Sequence, residues 1–365
     1  MNAMTRRIVI GTAAVSMAVS LAACGKAGDD KDSGSGGDSK TIGLLLPENK
    51  TTRYETFDRP LIEAKIKALC SDCEVKYNNA AQDTETQKKQ FDALVTQGVK
   101  VIILDSVDFK ATKSWVQQAD KKGVKVVAYD RLAEGPISAY VSYDNEKIGR
   151  LQGEALVKAL GDKAKDSNVV MINGSPTDPN APFFKKGAHS VLDTQVKKVV
   201  YEQDIPDWSP DEANKKMGAA IDSLGKKGFQ GVYSANDGMA GGIITALKKQ
   251  GVKVPVGGQD SELAGLQRIL AGDQSFSIYK QIKPQAETTA EIAVDLLKGK
   301  KFDSLTNTKV DSLSGEFKAT PSKLYDASVV TKDNIASTII ADGVYKASDI
   351  CTAEFKAACD AAGIK

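Results

Sequence analysis

The stretch "VKVVAYD" (residues 124–130) indicates the fold class, because an apolar strand runs directly into a polar end. The same arrangement recurs in four other stretches: "IILDSVD" (102–108), "YVSYDNE" (140–146), "GVYSANDG" (231–238) and "PVGGQDSE" (255–262). Strands that are apolar throughout are typical of parallel sheets covered by helices on both faces. In such sheets, ligands bind beyond the carboxyl ends of the strands. The pattern therefore predicts an α/β protein with a polar cleft at its strand ends.

Strands and amphipathic helices alternate along most of the chain, which predicts α/β units with right-handed crossovers. In the first half, strands are expected at 41–46, 74–79, 99–105 and 124–130, and helices at 57–69, 84–98 and 110–122. The pattern then restarts, with strands at 168–173, 197–203, 229–234 and 253–258 and helices at 181–193, 211–227, 237–250 and 261–271. About ten strands are too many for one ordinary open sheet, so two similar lobes are predicted.

Length and charge balance exclude some classes of function. The chain has 365 residues, enough for about two domains. Its 49 Lys and Arg residues are balanced by 47 Asp and Glu residues, which argues against a nucleic-acid-binding surface. Because His189 is the only histidine, a metal site with several histidine ligands is excluded. No metal or cofactor is expected.

The N-terminus has the pattern of a secretory signal peptide over residues 1–24. A basic start precedes an apolar run at 8–23, which is short for a membrane-spanning helix. The run ends in "LAAC" (21–24), and small residues directly before Cys24 resemble the bacterial lipobox, in which that cysteine is lipidated. An uncleaved anchor is the alternative. Residues 25–40 are rich in Gly, Ser and Asp, so a flexible tether to a body outside the cytoplasm is expected.

Four cysteines remain in the body: Cys70, Cys73, Cys351 and Cys359. An even number outside the cytoplasm suggests disulfides, and four cysteines allow three connectivities. Local pairs, Cys70 with Cys73 and Cys351 with Cys359, are expected. A redox role for "CSDC" (70–73) is disfavoured because the motif follows a helical pattern instead of opening a helix. Zinc is disfavoured because no second close Cys or His pair lies nearby in sequence.

Seven longer motifs follow one another along the chain: "YDR" (129–131), "SYDNEKIGRLQGEAL" (142–156), "NGSPTDPNA" (173–181), "DWSPDEA" (207–213), "SANDGMAGG" (234–242), "GGQDSELAGLQRILAG" (257–272) and "IYKQIKPQAETTAEIA" (278–293). Together they resemble the type I periplasmic sugar-binding proteins of the ribose-like group, and most closely the D-xylose-binding proteins of ABC transporters. The resemblance covers nearly all of residues 41–345. It implies two Rossmann-like lobes with parallel sheets, joined by a three-segment hinge and closing on one sugar.

The resemblance also implies domain boundaries. It assigns 41–144 plus 281–321 to an N-terminal lobe and 145–280 plus 322–345 to a C-terminal lobe. The hinge segments are expected near 143–146, 279–284 and 318–324. Residues 346–365 extend past the usual end of the family and are predicted to form a stapled terminal helix, with no function assigned.

The resemblance gives a ligand-binding role to nine residues: Arg53, Tyr54, Asp130, Arg131, Asn180, Trp208, Asn236, Asp260 and Lys280. These residue types suit a sugar, because carboxylates and amides hold pairs of hydroxyls and charged partners form the stronger hydrogen bonds. The indole of Trp208 is expected to stack on the apolar face of the ring. Some roles stay open at this stage: capping, hinge or sugar contact for Asp144 and Asp237, and a position in the cleft for Asp105, Ser106 and Asp108.

The predicted function is that of a lipid-anchored extracytoplasmic protein that captures a monosaccharide, with D-xylose as the first choice. It would act as a monomer and hand the sugar to the membrane permease of an ABC importer. Glucose, ribose or arabinose, bound for transport or chemotaxis, is the alternative. A sugar-responsive transcription regulator is disfavoured, because the signal and tether occupy the place of a DNA-binding helix pair. A sugar-processing enzyme is the remote alternative, based on paired carboxylates such as Asp130 and Asp260.

Overall fold

The computed structural model describes residues 40–364, so the predicted signal peptide, Cys24 and almost all of the predicted tether lie outside the described residues. The strands are β1 (Thr41–Leu46), β2 (Glu74–Asn79), β3 (Val101–Leu104), β4 (Lys125–Tyr129), β5 (Ala139–Tyr143), β6 (Asn168–Asn173), β7 (Lys198–Asp204), β8 (Gly231–Ser234), β9 (Ser277–Lys280), β10 (Thr308–Val310), β11 (Thr320–Tyr325) and β12 (Ala327–Val330). The helices are α1 (Arg59–Leu69), α2 (Thr84–Thr96), α3 (Thr112–Lys121), α4 (Asn145–Leu160), α5 (Ala181–Gln195), α6 (Pro210–Leu224), α7 (Asp237–Lys249), α8 (Leu263–Ala271), α9 (Ile282–Leu297), α10 (Ala347–Ile350) and α11 (Lys356–Ala361).

The first sheet has seven strands in the order β10-β11-β5-β4-β3-β1-β2. Neighbouring strands pair in parallel, except that β10 is antiparallel to β11. Alternate residues of β1 pack into the cores on the two faces of the sheet. Ile42 and Leu44 pack with α1 and α9, whereas Leu45 packs with α2 and α3. Because both faces are covered, the strand is apolar at nearly every position. The predicted α/β class with mostly parallel strands is confirmed.

A second sheet follows the parallel order β7-β6-β8. Single parallel bridges extend it, from Val232 of β8 to Val256 and from Gln259 to Ile278 of β9, and β9 pairs antiparallel with β12. The prediction of a regular strand at 253–258 is therefore wrong. Within this stretch, Val256 forms an isolated bridge with Val232. Pro255 has no N–H to donate to a ladder, and the glycines at 257–258 have no side chain to pack, so regular pairing is not sustained there.

The chain crosses between the two sides at Asp144 (from β5 to α4), at Gln281 (from β9 to α9) and at Asp326 (from β11 to β12). The first two positions lie within the predicted hinge segments. The third lies two residues beyond the predicted segment 318–324, because β11 continues in register with β5 as far as Tyr325 opposite Tyr143. Residues 322–325 thus pair with the first sheet and not with the second.

The C-terminal part of the chain packs on the second sheet's side of the molecule. Ile339, Ile350 and Ile364 form one core cluster with Leu266 and Ile269 of α8. The structure pairs Cys351 with Cys359 in this region and Cys70 with Cys73 after α1. Two short helices, α10 and α11, stand where one terminal helix was predicted.

None of the helices within residues 40–364 combines the length and the apolar character that a crossing of the bilayer requires.

Candidate ligand-binding site

One cavity lies where the strand ends of the two sheets face each other. All nine residues predicted from the sequence line this cavity: Arg53, Tyr54, Asp130, Arg131, Asn180, Trp208, Asn236, Asp260 and Lys280. Three further residues complete the lining: Thr51, Asp178 and Phe184. The structure therefore brings together residues that are up to about 230 positions apart, although their binding of a ligand stays a prediction.

Asp130 follows β4 directly, in a left-handed backbone conformation with a φ of 55°. A left-handed conformation is costly for a residue other than glycine. Here it is held by three hydrogen bonds to the main-chain oxygen of Asp130, from Tyr140 Oη (3.1 Å), Ser142 Oγ (2.6 Å) and Asn180 Nδ2 (3.2 Å). The turn directs the carboxylate of Asp130 into the cavity instead of along the strand.

Arg53 anchors the first wall of the cavity. Its Nε and Nη2 donate to the two carboxylate oxygens of Asp58 at 2.9 and 2.6 Å, and Asp58 also accepts from Tyr129 Oη. Its Nη1 lies 3.3 Å from Asp130 Oδ1. A π-helical turn at Tyr54–Asp58 precedes α1 and places Arg53 and Asp58 on the same side. The bidentate pair fixes the guanidinium plane beside Asp130.

The carboxylate of Asp130 is almost completely buried yet stays ionised. Burial raises its pKa, but the charges of Arg53 and Lys280 and the hydrogen bond from Gln285 outweigh burial, so the pKa lies well below its ordinary value. Tyr54 Oη donates to Asp130 Oδ2 at 3.1 Å. The group is therefore an acceptor for hydroxyl protons at neutral pH.

Arg131 lies among three carboxylates. Its Nε is 2.8 Å from Asp178 Oδ2 and 3.6 Å from Asp105 Oδ1, and its Nη2 is 3.9 Å from Glu48 Oε1. Burial raises the pKa of both Asp105 and Asp178, although the charge of Arg131 acts in the opposite direction. Asp105 itself does not reach the cavity and lies behind Arg131.

Trp208 forms the floor of the cavity on the side of the second sheet. Its Nε1 donates to Asp178 Oδ2 at 3.1 Å, and its backbone is left-handed with a φ of 52°. Gly174, directly after β6, lies against the indole, and a Cβ placed there would overlap the ring. The glycine is required by this close approach.

We expect Gly174→Ala to displace the indole of Trp208 and to weaken ligand binding by about 0.5–1.5 kcal/mol, the range of an aromatic contact. Calorimetry gives the affinity, and tryptophan fluorescence reports the displacement, since Trp115 is buried in a separate core. Gly218→Ala on α6 is the matched control, because a Cβ there meets open space. Equal affinities for both variants would contradict the role of Gly174.

The second wall comes from the strand ends of the second sheet. Lys280 ends β9, and its Nζ lies 2.9 Å from Asp260 Oδ1, with both side chains almost fully buried. Asp260 also adopts a positive φ, of 92°. Asn236 caps α7 by accepting from Met239 N at 2.9 Å, so capping and cavity lining are combined in one residue.

Other polar residues singled out from the sequence have structural roles. Asp144 caps α4 through Lys147 N, and Asp237 is buried, accepting from Gln274 Nε2 and Ser277 Oγ. Asp108 accepts from Lys110 N in its own turn. Sequence reasoning missed Asp178, although it lies within the quoted motif "NGSPTDPNA" only two residues before Asn180.

Several contacts cross the cleft and hold it closed. Arg131 meets Asp178, Asn180 Nδ2 donates to the main-chain oxygen of Asp130, and the main-chain N–H of Thr52 donates to Glu262 Oε1 at 3.3 Å. The cavity is therefore formed by both sides together. Its lining combines cations, carboxylates, amides and aromatic rings, which suits a compact, uncharged ligand with several hydroxyl groups.

A metal is not favoured by the arrangement. Within residues 40–364, the group of side chains close enough to share an ion is Cys70, Asp72 and Cys73, and the two cysteines are paired with each other. In the cavity itself, the carboxylates of Asp130, Asp178 and Asp260 are each already paired with a cation, from Arg53, Arg131 and Lys280 respectively.

The sequence of this chain is similar to a family model and to sugar-binding proteins of bacteria. A family model described as "Periplasmic binding protein domain" matches residues 42–301. The D-xylose-binding periplasmic protein of Escherichia coli (strain K12) is 36% identical over 316 residues, which cover 85% of this chain and 92% of the relative. The multiple sugar-binding periplasmic receptor ChvE of Rhizobium radiobacter is 30% identical over 334 residues, which cover 86% of this chain and 93% of the relative.

Among solved structures, an ABC transporter solute binding protein from Clostridium phytofermentans, with bound β-D-glucose, superposes with a TM-score of 0.77. It is 27% identical, and the match covers 85% of this chain and 99% of that chain. These relatives are binding proteins and receptors by name, not enzymes.

Proposed function

This chain belongs to the periplasmic binding protein family, and from that membership we propose that it is the substrate-binding protein of an ABC sugar importer. In this proposal it captures one monosaccharide, D-xylose, by closure of two lobes and presents the closed form to a membrane permease. The protein performs no chemistry on the sugar. The transport energy comes from the partner ATPase.

The observation that carries this proposal is that residues from both sides of the cleft line one cavity. A buried carboxylate and a buried cation lie on each side: Asp130 with Arg53 on one, and Asp260 with Lys280 on the other. Each pair offers acceptors and donors to neighbouring hydroxyls, and the indole of Trp208 offers an apolar face. A ligand held by both pairs favours the closed state over the open one.

The choice of D-xylose rests on the relatives. The protein from Escherichia coli, at 36% identity, is named for D-xylose. The relative from Rhizobium radiobacter is named for multiple sugars, and the Clostridium structure holds glucose. Glucose, ribose and arabinose are therefore the alternative ligands, for transport or chemotaxis.

The test is a calorimetric titration of the body, residues 41–365, with D-xylose, D-glucose, D-ribose and L-arabinose. One-to-one binding that is tightest for D-xylose supports the proposal in full. Tightest binding of another sugar keeps the transport role and replaces the ligand. Absence of binding for all four sugars contradicts the proposal. An aryl xyloside in the same assay tests the enzyme alternative, since only a hydrolase releases the aryl group.

We assign the lobes as 41–144 plus 281–325 and 145–280 plus 327–345, with crossings at Asp144, Gln281 and Asp326. This assignment follows the sheet in which each strand pairs. It differs from the sequence-based boundary at 321/322 by the last strand residues of β11. Rotation about three short segments is a common way to close such a cleft.

Closure is expected to depend on pH through Glu262. Burial, then the charges of Asp237 and Asp260, raise the pKa of Glu262 to about 8 in the closed form. Opening returns this carboxyl towards water and its ordinary pKa, so closure takes up a proton. Sugar affinity is therefore expected to be greatest at low pH, to fall as the pH rises towards about 8, and to level off above it.

The variant Glu262→Gln keeps the acceptor for Thr52 N–H but cannot titrate, so its affinity should vary less with pH than that of the wild type. Calorimetry between about pH 5 and pH 9 measures both profiles. Asp237, whose pKa burial raises to about 7, lies within one lobe and stays buried on opening. Identical profiles for the variant and the wild type would contradict the role of Glu262.

We further propose that lipid on Cys24 anchors the protein to the outer face of the cell membrane. The lipobox-like "LAAC" supports this. Cys24→Ala is expected to move the protein from the membrane fraction to the soluble or secreted fraction, as measured by fractionation and immunoblotting. An unchanged membrane fraction would contradict lipidation at Cys24.

We also propose that the two local cysteine pairs are disulfides in the mature protein and that the body is a monomer. The pairing of Cys70 with Cys73 and of Cys351 with Cys359 supports the first point, and an extracytoplasmic location favours oxidation. Intact mass with and without reduction tests it.

A further inference from the structure

Gln285 lies behind the cavity and joins two of its lining residues. It is located on the first turn of α9 and is fully buried. Its Oε1 accepts from Arg53 Nη2 at 2.7 Å, and its Nε2 donates to Asp130 Oδ1 at 3.2 Å and to the main-chain oxygen of Val141 at 3.3 Å. The residue does not line the cavity itself.

We propose that Gln285 is a positioning residue that sets the orientation of Asp130 and Arg53 for sugar binding. This inference rests on the proposed function. Gln285 contributes no contact to the sugar and acts through the two side chains that it bridges. It therefore prepares one wall of the cavity before the cleft closes, since all three residues lie on the side of the first sheet.

The amide is suited to this position because it offers an acceptor and a donor at once. Oε1 meets a guanidinium, which can only donate, and Nε2 meets a carboxylate, which can only accept when ionised. Leucine has neither group, and an ionised glutamate would keep the acceptor while placing a second negative charge beside Asp130. Each of these side chains therefore fails in a different and measurable way.

The orientation of Asp130 depends on its hydrogen bond from Gln285 more than the orientation of Arg53 depends on its own hydrogen bond to Gln285. Arg53 keeps two hydrogen bonds to Asp58 when Gln285 is removed. Asp130 Oδ1 keeps only the longer contact with Arg53 Nη1, at 3.3 Å, while Oδ2 keeps Tyr54 Oη. The expected consequence of losing the amide is a rotated Asp130 carboxylate in an otherwise intact wall.

The charged and titratable groups around Gln285 come from every neighbouring element. Arg53 and Asp58 come from the loop and turn before α1, and Tyr129 and Asp130 come from β4 and its end. Tyr143 of β5 and Lys280 of β9 also act on this cluster, since the charge of Lys280 lowers the pKa of Asp130 and the charge of Asp130 raises that of Tyr143.

The test is a double-mutant cycle in sugar affinity. Q285L alone is expected to weaken D-xylose binding about tenfold, the effect of losing hydrogen bonds to charged groups. In an Asp130→Asn background the same change should cost less than about threefold, because Asp130 is already altered. In an Asp260→Asn background, on the other side of the cleft, Q285L should still weaken D-xylose binding by the full tenfold. A residue that only supports packing would show the same cost in all three backgrounds.

Q285E supplies an independent readout. A protonated glutamic acid reproduces the donor and the acceptor of glutamine, whereas the ionised form does not. The ratio of dissociation constants, variant over wild type, should therefore be about tenfold or more near pH 8 and should shrink towards one near pH 5. Q118E, on the exposed side of α3, is the matched control and should keep a ratio of one throughout.

The outcomes separate this inference from the proposed function. A wild type that binds sugar, with Q285L binding equally well or with equal cost in every background, overturns the inference alone. A pH-independent ratio for Q285E overturns it as well. A wild type that binds none of the sugars contradicts the proposed function, and the role of Gln285 falls with it.

Discussion

Replacing Asp260 with alanine is expected to weaken sugar binding by about 1.5–3 kcal/mol or more, which is about 10–150-fold or more in the dissociation constant. The carboxylate of Asp260 lies 2.9 Å from Lys280 Nζ, and both groups line the cavity. Its loss removes charge-assisted hydrogen bonds to hydroxyls. It also leaves Lys280 almost fully buried without its carboxylate partner, which adds a desolvation cost.

Calorimetry of the purified body measures this effect. Asp120→Ala is the control, since Asp120 lies exposed on α3 and is paired with Lys125 at a distance of 3.9 Å. The control should bind like the wild type. An unchanged dissociation constant for Asp260→Ala would remove Asp260 from the site.

Replacing Arg53 with methionine is expected to lower the free energy of unfolding by about 3–5 kcal/mol, the cost of breaking a buried ion pair. Asp58 is fully buried and accepts two charge-assisted hydrogen bonds from Arg53, in addition to one from Tyr129 Oη. Because both residues lie on the side of the first sheet, opening of the cleft does not return Asp58 to water. The cost of leaving the Asp58 carboxylate buried without Arg53 therefore lowers the free energy of unfolding as well as the sugar affinity.

Urea unfolding measures the change, and Arg59→Met is the matched control. Arg59 lies six residues further along the chain, with its side chain 39% exposed, paired with Glu55 and Glu63 at the surface and lying over the Tyr77 ring. Exposed pairs contribute about 0–1 kcal/mol. Equal losses in the two variants would show that the Arg53–Asp58 pair contributes no more than a surface pair.

The strand ends were the most informative part of the sequence. Asp130 follows β4 of the first sheet and Asn236 lies two residues past β8 of the second, and parallel pairing brings the strand ends of each sheet to one edge. The prediction of a polar cleft at this edge needed no knowledge of side-chain contacts. The longer motifs then added residues from loops, such as Trp208 and Asn180, that periodicity alone does not distinguish.

Residues that act through long-range partners were not visible in the sequence. Gln285 reads as a polar residue on the first turn of a helix, and its partner Arg53 lies 232 positions earlier. Asp58 reads as an ordinary helix-start acid. Asp178 contacts Arg131 only across a closed cleft. Local sequence patterns carry no information about such pairs, because a distant partner can be identified only once the fold is known.

The third crossing was misplaced for a similar reason. The run "TPSKLY" (320–325) gives no local signal for where one sheet ends and the other begins. Its extent is set by pairing with β5, from Ser322 opposite Tyr140 to Tyr325 opposite Tyr143. Only after Asp326 does the chain pair with β9.

The central claim is that one monosaccharide is held between both walls of this cavity. The most direct measurement is a crystal structure of the body, residues 41–365, grown with D-xylose. We expect one pyranose against the Trp208 indole, with its hydroxyls bonded to Asp130 and Arg53 on one side and to Asp260 and Lys280 on the other. A sugar bound outside this cavity, or an empty closed cavity at saturating sugar, would contradict it.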